Sequence, residues 1–251
     1  MSTQIKTLIL DLETRPALAY VWGLFDQNIS LAQIKEPPSI LSWAATWADG
    51  DYIMYDSVQR NSYAGMLRTI YDLLDEADEV VGWNSNRFDI KWLNGEFALQ
   101  GWGPPSPFRK IDLYQTVKSN FNFLSNKLDF SLGAFGMEQK VKHDGFDLWV
   151  GCMNGDREAW AKMEEYNIGD VERTAEMYYK LRPWFKGAVN RSANSGLCVC
   201  RVCSSTRVQQ RGYTYTPTRT YKKFVCKDCG AWSRSVMAEP SVRKNILTGV
   251  A

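Results

Sequence analysis

Short apolar runs alternate along the first two thirds of the chain with segments whose apolar positions recur at helical spacing. The run Lys6–Glu13 ends in acids and is typical of a buried strand. The segment Ser39–Tyr55 predicts two strands joined at an Asp49-Gly50 turn, which is a hairpin signal. Glu79–Asn84 predicts a further strand, and Arg109–Tyr114 predicts either a short strand or the start of a helix.

Helical spacing marks four other segments. The predicted helices span residues 62–76, Phe88–Gln100, Leu128–Phe135 and Asp156–Leu181. The last should end near Arg182, because the residue before a proline is pushed out of helical geometry. Antiparallel strands followed by strands that alternate with helices predict an α/β fold, with a mixed sheet flanked by helices.

Small polar residues at 187–196 are typical of a linker. We therefore expect a first domain at 1–186, a small cysteine-containing domain at 197–237 and a polar tail at 238–251.

Composition places the chain among ordinary soluble proteins. It has 251 residues, of which 45% are hydrophobic and 23% charged. No apolar run is long enough to span a bilayer, and the N-terminal sequence lacks the pattern of a signal peptide. We therefore expect no membrane partner and a cytoplasmic location, which would be the host cytoplasm for a phage-encoded protein.

Charge is divided unevenly along the chain. Residues 187–251 carry 11 Lys and Arg against 2 Asp and Glu, whereas residues 1–186 carry 19 against 26. A basic segment attracts a polyanion, and an acidic body can concentrate carboxylates around cations.

Cysteines are confined largely to the basic segment. Cys200 and Cys203 form one Cys-x-x-Cys pair, and Cys226 and Cys229 form another after 22 intervening residues. Four thiolates close a tetrahedral site, so this spacing predicts one structural Zn²⁺ ion in a module that resembles a zinc ribbon. Cys198 could replace Cys200, although Cys200 gives the more regular pair, and this alternative stays open.

Basic and aromatic residues interleave between the two cysteine pairs. Basic side chains bind phosphates while aromatic rings stack on bases, which favours nucleic-acid binding by this segment. The candidate contacts are Arg207, Arg211, Tyr213, Lys222 and Lys223. The alternative is a ribbon that docks a protein partner or caps the first domain.

Acidic residues recur at the ends of predicted elements. Asp11 and Glu13 are two apart at the end of the first strand, so both carboxylates point to the same face. Asp89 lies in the first turn of a helix, and Tyr166 and Asp170 are one helical turn apart. Each alone is as well explained by a solvated strand end, a helix-dipole contact or an ordinary helix surface.

Together these residues resemble the DEDD superfamily of 3′–5′ exonucleases, which have an RNase H-like fold, in its tyrosine (DnaQ-like, DEDDy) form. The resemblance covers roughly residues 5–185, and within the superfamily the chain looks most similar to the compact exonuclease-like proteins of bacteria and phages. The matching positions are Asp11 and Glu13 of D-x-E, Asn84, Phe88 and Asp89 of N-x-x-x-[FY]-D, and Tyr166 and Asp170 of Y-x-x-x-D. The single histidine, His143, lies too far before Asp170 for the histidine form and is expected in a loop.

The resemblance implies a pair of catalytic divalent ions, Mg²⁺ or Mn²⁺, held by oxygen ligands. In this family Asp11 would bridge both ions, Glu13 and Asp170 would hold the one that activates water, and Asp89 would act largely through water. Tyr166 would position the attacking water.

Further positions follow from the same resemblance. Leu12, Thr14, Asn84 and Phe88 would hold the 3′-terminal nucleotide. Asp112 could support this site or could equally be a helix cap.

We therefore predict a metal-dependent 3′–5′ exonuclease that acts on single-stranded DNA, with the ribbon assisting binding. A polymerase, or another replication or recombination protein, is a further candidate partner. The alternatives are an exoribonuclease, a non-catalytic adaptor in a replication or recombination complex, and proofreading for a separate polymerase.

Overall fold

The computed structural model describes residues 5–140, 145–187, 189–193 and 197–240. It forms two compact units, of which the first is Lys6–Tyr179 and the second contains the described residues from Lys180 onward. His143 and residues 241–251 of the predicted tail lie outside the described residues.

Seven strands lie in the described part of the first unit. They are β1 (Thr7–Arg15), β2 (Leu18–Ala19), β3 (Ile34–Glu36), β4 (Ser39–Trp47), β5 (Met54–Ser57), β6 (Glu79–Gly82) and β7 (Arg109–Asp112). Five of them form one sheet in the order β5-β4-β1-β6-β7, in which β1 is antiparallel to β4 and parallel to β6. β2 and β3 form a separate hairpin.

Six α-helices lie in the described residues. They are α1 (Tyr63–Glu76), α2 (Asp89–Leu99), α3 (Leu113–Asn120), α4 (Leu128–Ala134), α5 (Asp147–Met153) and α6 (Arg157–Leu181). None of these described helices is both long enough and apolar enough to cross a bilayer. The four predicted helices are confirmed as α1, α2, α4 and α6, and the predicted hairpin is confirmed as β4 and β5.

Three short elements escaped sequence prediction. The β2–β3 hairpin has strands of two and three residues, and α5 has seven residues. A seven-residue helix has fewer than two turns, and a strand of two or three residues is too short to show an alternation of apolar and polar positions. Periodicity therefore does not predict elements of this length. For Arg109–Tyr114 the sequence predicts either a short strand or the start of a helix, and the structure contains both, as β7 and α3.

The alternation of β1 separates the core from the polar face. Leu8, Leu10 and Leu12 are almost fully buried and pack in one cluster with apolar residues of α1 and α2. Asp11 and Glu13 alternate with them and therefore point to the other face, where α6 packs. On that side Leu41, Met163 and Tyr166 belong to a second cluster. The predicted class, an α/β fold with a mixed sheet flanked by helices, is confirmed.

Parallel pairing brings polar strand ends to one edge of this sheet. β1, β6 and β7 run in the same direction, so their carboxyl ends lie together. Glu13 and Asp112 belong to two of these ends, and Asn84 follows the third. The register of β1 against β4 shifts between Glu13 and Thr14, an irregularity typical of strands beside functional sites.

The second unit contains a three-stranded antiparallel sheet. Its strands are β8 (Val208–Tyr215), β9 (Thr220–Cys226) and β10 (Trp232–Arg234), in the order β10-β9-β8. Its small core consists of Cys200, Val202, Cys226 and Ala231. Before it, the described residues 189–193 contain a turn in which the Ala193 N–H donates to the Asn190 carbonyl.

Candidate functional site

Three carboxylates converge on the α6 side of the sheet. Asp11 and Glu13 come from β1 and Asp170 from α6, and each places an oxygen within 4.8 Å of the other two. Among the described residues this is the carboxylate group close enough to share an ion. The two sequence motifs, 157 residues or more apart in the chain, therefore meet at one point.

Asp89 lies beside this group rather than inside it. It is the first residue of α2 and is almost fully buried. Its Oδ1 accepts a hydrogen bond of 3.0 Å from the backbone N–H of Leu12, which fixes it between the two carboxylates of β1 along the strand. The sequence predicted four acids in one cluster, and the structure shows a close group of three with Asp89 at its side.

Burial and mutual repulsion disfavour the charged forms of these acids. Burial, then repulsion from Asp89, Glu13 and Asp170, raises the pKa of Asp11 well above its ordinary 3.8. Burial, then Asp170, raises the pKa of Glu13 from 4.5 to about 8. Burial raises the pKa of Asp89 from 3.8 to about 7. A divalent cation would relieve this repulsion, and hard cations prefer such oxygen ligands, so the residues fit a Mg²⁺ or Mn²⁺ site.

The free energy of unfolding without divalent ions should fall as pH rises. In the folded state Glu13 and Asp89 keep their protons to about pH 7–8, whereas the unfolded chain releases them near pH 4. The stability from this difference is fully present below pH 4 and is lost as pH rises through the folded pKa values. Urea unfolding between pH 4 and 9 measures the slope.

Glu13→Gln should reduce that slope and stabilise the ion-free protein at pH 9, by on the order of 2 kcal/mol. The matched control is Glu165→Gln, because Glu165 is exposed on α6. An unchanged slope in Glu13→Gln would contradict the assignment of the raised pKa to this carboxyl.

Tyr166 and Lys140 meet at the third carboxylate. The Lys140 Nζ lies 2.5 Å from Asp170 Oδ2 and donates to the Tyr166 hydroxyl at 3.0 Å. Burial and the Asp170 carboxylate raise the pKa of Tyr166 above its ordinary 10, so the phenol keeps its proton at neutral pH. It can therefore orient a water or an oxygen by hydrogen bonding but is no general base. No motif pointed to Lys140, because it lies in a loop 26 residues before Tyr166.

Asn167 holds the first carboxylate in place and was not predicted. It is fully buried, and its Nδ2 donates to Asp11 Oδ2 at 2.9 Å. Its Oδ1 accepts from the hydroxyl of Ser42 on β4 at 3.0 Å, so the amide ties α6 to two strands. A signal was present: Asn167 lies three residues before Asp170 and thus on the same side of the helix.

Asn167→Ala should destabilise the protein by about 1–3 kcal/mol, because it leaves buried groups of Asp11 and Ser42 without this partner. Urea unfolding measures the change. Glu165→Gln, two residues away and exposed, serves as the control. A change below about 0.5 kcal/mol would show that water replaces the amide.

Trp149 is a second residue that sequence analysis missed. It lies on α5, where its ring meets the Tyr166 ring edge-on with centroids 6.0 Å apart. A hydrogen bond from its side chain to Glu13 partly offsets the rise in the pKa of Glu13. The missed helix α5 therefore supports the same carboxylate group from a third direction.

The four residues expected to hold a nucleotide lie around the sheet edge. Leu12 is buried, and its backbone N–H donates a hydrogen bond to Asp89. Thr14 follows the shift in register and is half-buried. Phe88 is exposed over 37% of its surface and packs edge-on against Trp92. Asn84 adopts a positive φ of 61°, a conformation that asparagine tolerates better than most residues.

Asp112 shapes the backbone around Asn84. Its carboxylate accepts from the N–H groups of Asn84 at 3.0 Å and Asn86 at 3.3 Å, and it also caps α3 through the Gln115 N–H at 3.3 Å. The helix cap expected from the sequence is confirmed, and the same side chain also fixes the loop that leads to Asp89.

Lys140 and Asn84 also line a groove of about 490 Å³. Three basic side chains and one acidic side chain face it, together with two aromatic rings. These are Arg87, Lys127, Lys140, Asp129, Trp83 and Tyr114. A groove with this composition suits a phosphate chain with bases that can stack.

The four predicted cysteines meet in the second unit. The Sγ atoms of Cys200, Cys203, Cys226 and Cys229 all lie within 4.8 Å of one another. Two of the separations, Cys200 to Cys229 and Cys203 to Cys226, are 3.6 Å. A disulfide requires about 2.05 Å, whereas tetrahedral Zn–S bonds of about 2.3 Å place sulfurs about 3.8 Å apart. The group therefore fits Zn²⁺, and Cys198 is exposed outside it.

The two cysteine pairs have the same local backbone. The residue after each second cysteine has a positive φ, 62° at Ser204 and 77° at Gly230. The N–H of Ser204 donates to the Cys200 carbonyl at 3.0 Å, and the N–H of Gly230 donates to the Cys226 carbonyl at 3.1 Å. Glycine adopts this conformation readily whereas serine does so rarely, so the sequence alone does not reveal that the two pairs are equivalent.

The predicted basic contacts of the ribbon fall into different environments. Arg207 pairs with Asp228 at 2.6 Å, and Lys222 pairs with Glu239 at 3.7 Å. Arg211 lies at a shift in register between Gln210 and Tyr213 and is exposed. Tyr213 pairs with Lys222, whereas Lys223 lies one residue on and so points to the opposite face.

Comparison with known proteins bears on the first unit. The profile of the RNase_H superfamily matches residues 39–182, more than half of the chain, and thus begins at β4. Curated protein sequences show no significant match.

Among the solved structures that match is the family B DNA polymerase from the hyperthermophilic archaeon Pyrobaculum calidifontis. The TM-score is 0.50 at 16% sequence identity, and the match covers 86% of this chain and 32% of the polymerase chain. The chain thus spans about a third of that polymerase, and likeness at this identity concerns the fold alone. Because the profile matches more than half of the chain, the chain belongs to the RNase_H superfamily.

Proposed function

We propose that the chain is a metal-dependent nuclease that removes nucleotides from the 3′ end of single-stranded DNA. The observation that carries the proposal is the convergence of Asp11, Glu13 and Asp170 within 4.8 Å, with Asp89 and Tyr166 against them. Asp89 and Asp170 are buried and Asp11 and Glu13 are half-buried. Burial and repulsion within the group raise the pKa values of Asp11 and Glu13, which a solvated strand end or an ordinary helix face would not do.

The chain's own groups would prepare the site for a pair of Mg²⁺ or Mn²⁺ ions. Asp11, Glu13 and Asp170 would hold the ions, with Asp89 beside them. Bound ions of this kind supply activation of the attacking water and stabilise charge on the phosphate. Asn167 fixes Asp11 through its amide, and Leu12 fixes Asp89 through its N–H.

Tyr166 and Lys140 would act on the substrate side. The protonated Tyr166 hydroxyl would orient water or a phosphate oxygen by hydrogen bonding. Lys140 already balances Asp170 and lines the groove with Arg87 and Lys127, so its ammonium group is placed to attract the phosphate of the terminal nucleotide. The groove would receive the strand, and its aromatic rings suit stacking without regard to base.

The ribbon would bind Zn²⁺ through its four cysteines and assist nucleic-acid binding. Four thiolates leave no position for a substrate, so we assign the zinc a structural role. The partner class that we propose beyond nucleic acid is a polymerase or another replication or recombination protein.

Digestion of a 5′-labelled single-stranded DNA and the matching RNA tests the proposal. Each is incubated with Mg²⁺, with Mn²⁺ and without divalent ions. We expect a ladder that shortens from the 3′ end, faster on DNA, and no shortening without the ions. Equal or faster shortening of RNA would favour the exoribonuclease alternative.

Failure to cleave either strand with either ion, while binding persists, would overturn the proposal in favour of an adaptor. Cleavage at internal positions would retain the nuclease and overturn the exonuclease polarity.

A further inference from the structure

One face of the ribbon sheet presents aromatic and basic residues together. Arg234 lies opposite Lys223, and Trp232 lies opposite Val225, so these side chains share a face. Tyr221 is two residues from Lys223 on β9 and therefore points the same way. We call the surface formed by Tyr221, Lys223, Trp232 and Arg234 the Trp232 face.

Contacts between the strands confirm this arrangement. The Lys223 Nζ lies 5.1 Å from the centroid of the Trp232 ring, and the Arg234 Cζ lies 4.1 Å from the centroid of the Tyr221 ring. Each cation is thus held against a ring on the neighbouring strand. The Trp232 side chain nevertheless keeps 50% of its surface exposed.

The charges on this face have no acidic partner within the described residues. Residues 197–240 contain two acids, Asp228 and Glu239, and these pair with Arg207 and Lys222. Lys223 and Arg234 therefore carry their charges toward solvent, where they attract a polyanion.

The opposite face has a different character. Tyr213 pairs with Lys222, and Tyr215 pairs with Thr220. Lys222 pairs with Glu239 at 3.7 Å, so the lysine in these described strand pairs has an acidic partner beside the aromatic rings. The two faces of one small sheet thus differ in charge while both carry exposed aromatic side chains.

We propose that the Trp232 face is a binding platform for single-stranded nucleic acid. Bases stack on Trp232 and Tyr221, and the phosphates between them contact Lys223 and Arg234. The platform keeps Lys223 from the contacts expected from the sequence and adds Tyr221, Trp232 and Arg234. It rests on the proposed function in one respect, that the chain acts on nucleic acid.

Fluorescence anisotropy of the full-length, zinc-loaded protein tests this assignment. The probes are 5′-fluorescein-labelled single-stranded DNA and RNA of the same sequence, and the DNA duplex, without Mg²⁺ or Mn²⁺. We expect Trp232→Ala to weaken single-strand binding about tenfold. We expect the double variant Lys223→Gln/Arg234→Gln to flatten the salt dependence of log Kd by about 1.4.

Tyr215→Ala on the opposite face is the matched control and should leave Kd within twofold. Zinc content of each variant shows whether the ribbon still folds. Unchanged binding in Trp232→Ala, or equal weakening in Tyr215→Ala, overturns the platform and assigns the face to a protein partner. Preference for duplex over single strands overturns it too.

Hydrolysis of the p-nitrophenyl ester of thymidine 5′-phosphate, with Mn²⁺, separates this inference from the proposed function. The ester carries a single nucleotide and offers no strand to a binding face, so its hydrolysis by the unaltered chain reports on the carboxylate group alone. Absent hydrolysis in the unaltered chain together with weakened binding in Trp232→Ala would reject the nuclease and support the platform.

Discussion

Asp11→Asn should lower kcat/KM for single-stranded DNA by roughly 10³-fold or more. Asp11 belongs to the group of three carboxylates whose oxygens lie within 4.8 Å of one another, and Asn167 fixes one of its oxygens. The asparagine has the same shape but one charge fewer, so it removes a hard anionic ligand and leaves the fold intact. The rate of 3′ shortening of a 5′-labelled strand, at saturating Mg²⁺, measures the loss.

Glu165→Gln is the matched control for that result. It removes one negative charge from α6 at an exposed position next to Tyr166, so it changes the local charge without touching the carboxylate group. Its rate should stay within about twofold of the unaltered chain. Comparable losses in both variants would mean that overall charge, rather than the geometry at Asp11, governs cleavage.

Cys226→Ser should unfold the ribbon and release its zinc. Structural Zn²⁺ contributes apparent binding free energies of about 10–16 kcal/mol in small modules, and a serine hydroxyl is a poor ligand. The core around Cys226 is completed by Cys200, Val202 and Ala231, which bury too little apolar surface to fold alone. Metal content per chain and amide exchange in β8 and β9 report the loss.

Cys198→Ser provides the comparison, because Cys198 is exposed and lies outside the group of four. One zinc per chain should remain bound, with unchanged protection of the ribbon amides. Loss of zinc in Cys198→Ser and retention in a Cys200→Ser variant would reverse the choice between these two cysteines.

Sequence reasoning reached the chemistry because its signals are local. Asp11 and Glu13 share a face by strand alternation, and Tyr166 and Asp170 share one by helical spacing. The cysteine pairs are similarly local. Each of these short patterns depends only on residues close together in the chain, so it can be recognised before the fold is known. The fold then brings the patterns together, and the parallel pairing of β1 with β6 places Asp89 beside Asp11 and Glu13.

The supporting residues could not be read in the same way. Lys140 reaches Asp170 from a loop, Trp149 reaches Glu13 from a seven-residue helix, and both depend on contacts between distant segments. The faces of the ribbon were equally hidden, since the bulge between Gln210 and Tyr213 changes the alternation along β8. Such features follow from register, which a single sequence does not encode locally.

The ammonium group of Lys140 has a consequence for biosynthesis. By lying against Asp170 and Tyr166 it offsets part of the repulsion that would oppose closure of α6 over β1. We therefore expect the first unit to reach its final shape on a newly made chain before any divalent ion arrives. In the described residues the ribbon buries only a small core around its cysteines, so its maturation waits for zinc. The first unit would thus fold before divalent ions bind, whereas the ribbon would fold only when zinc binds.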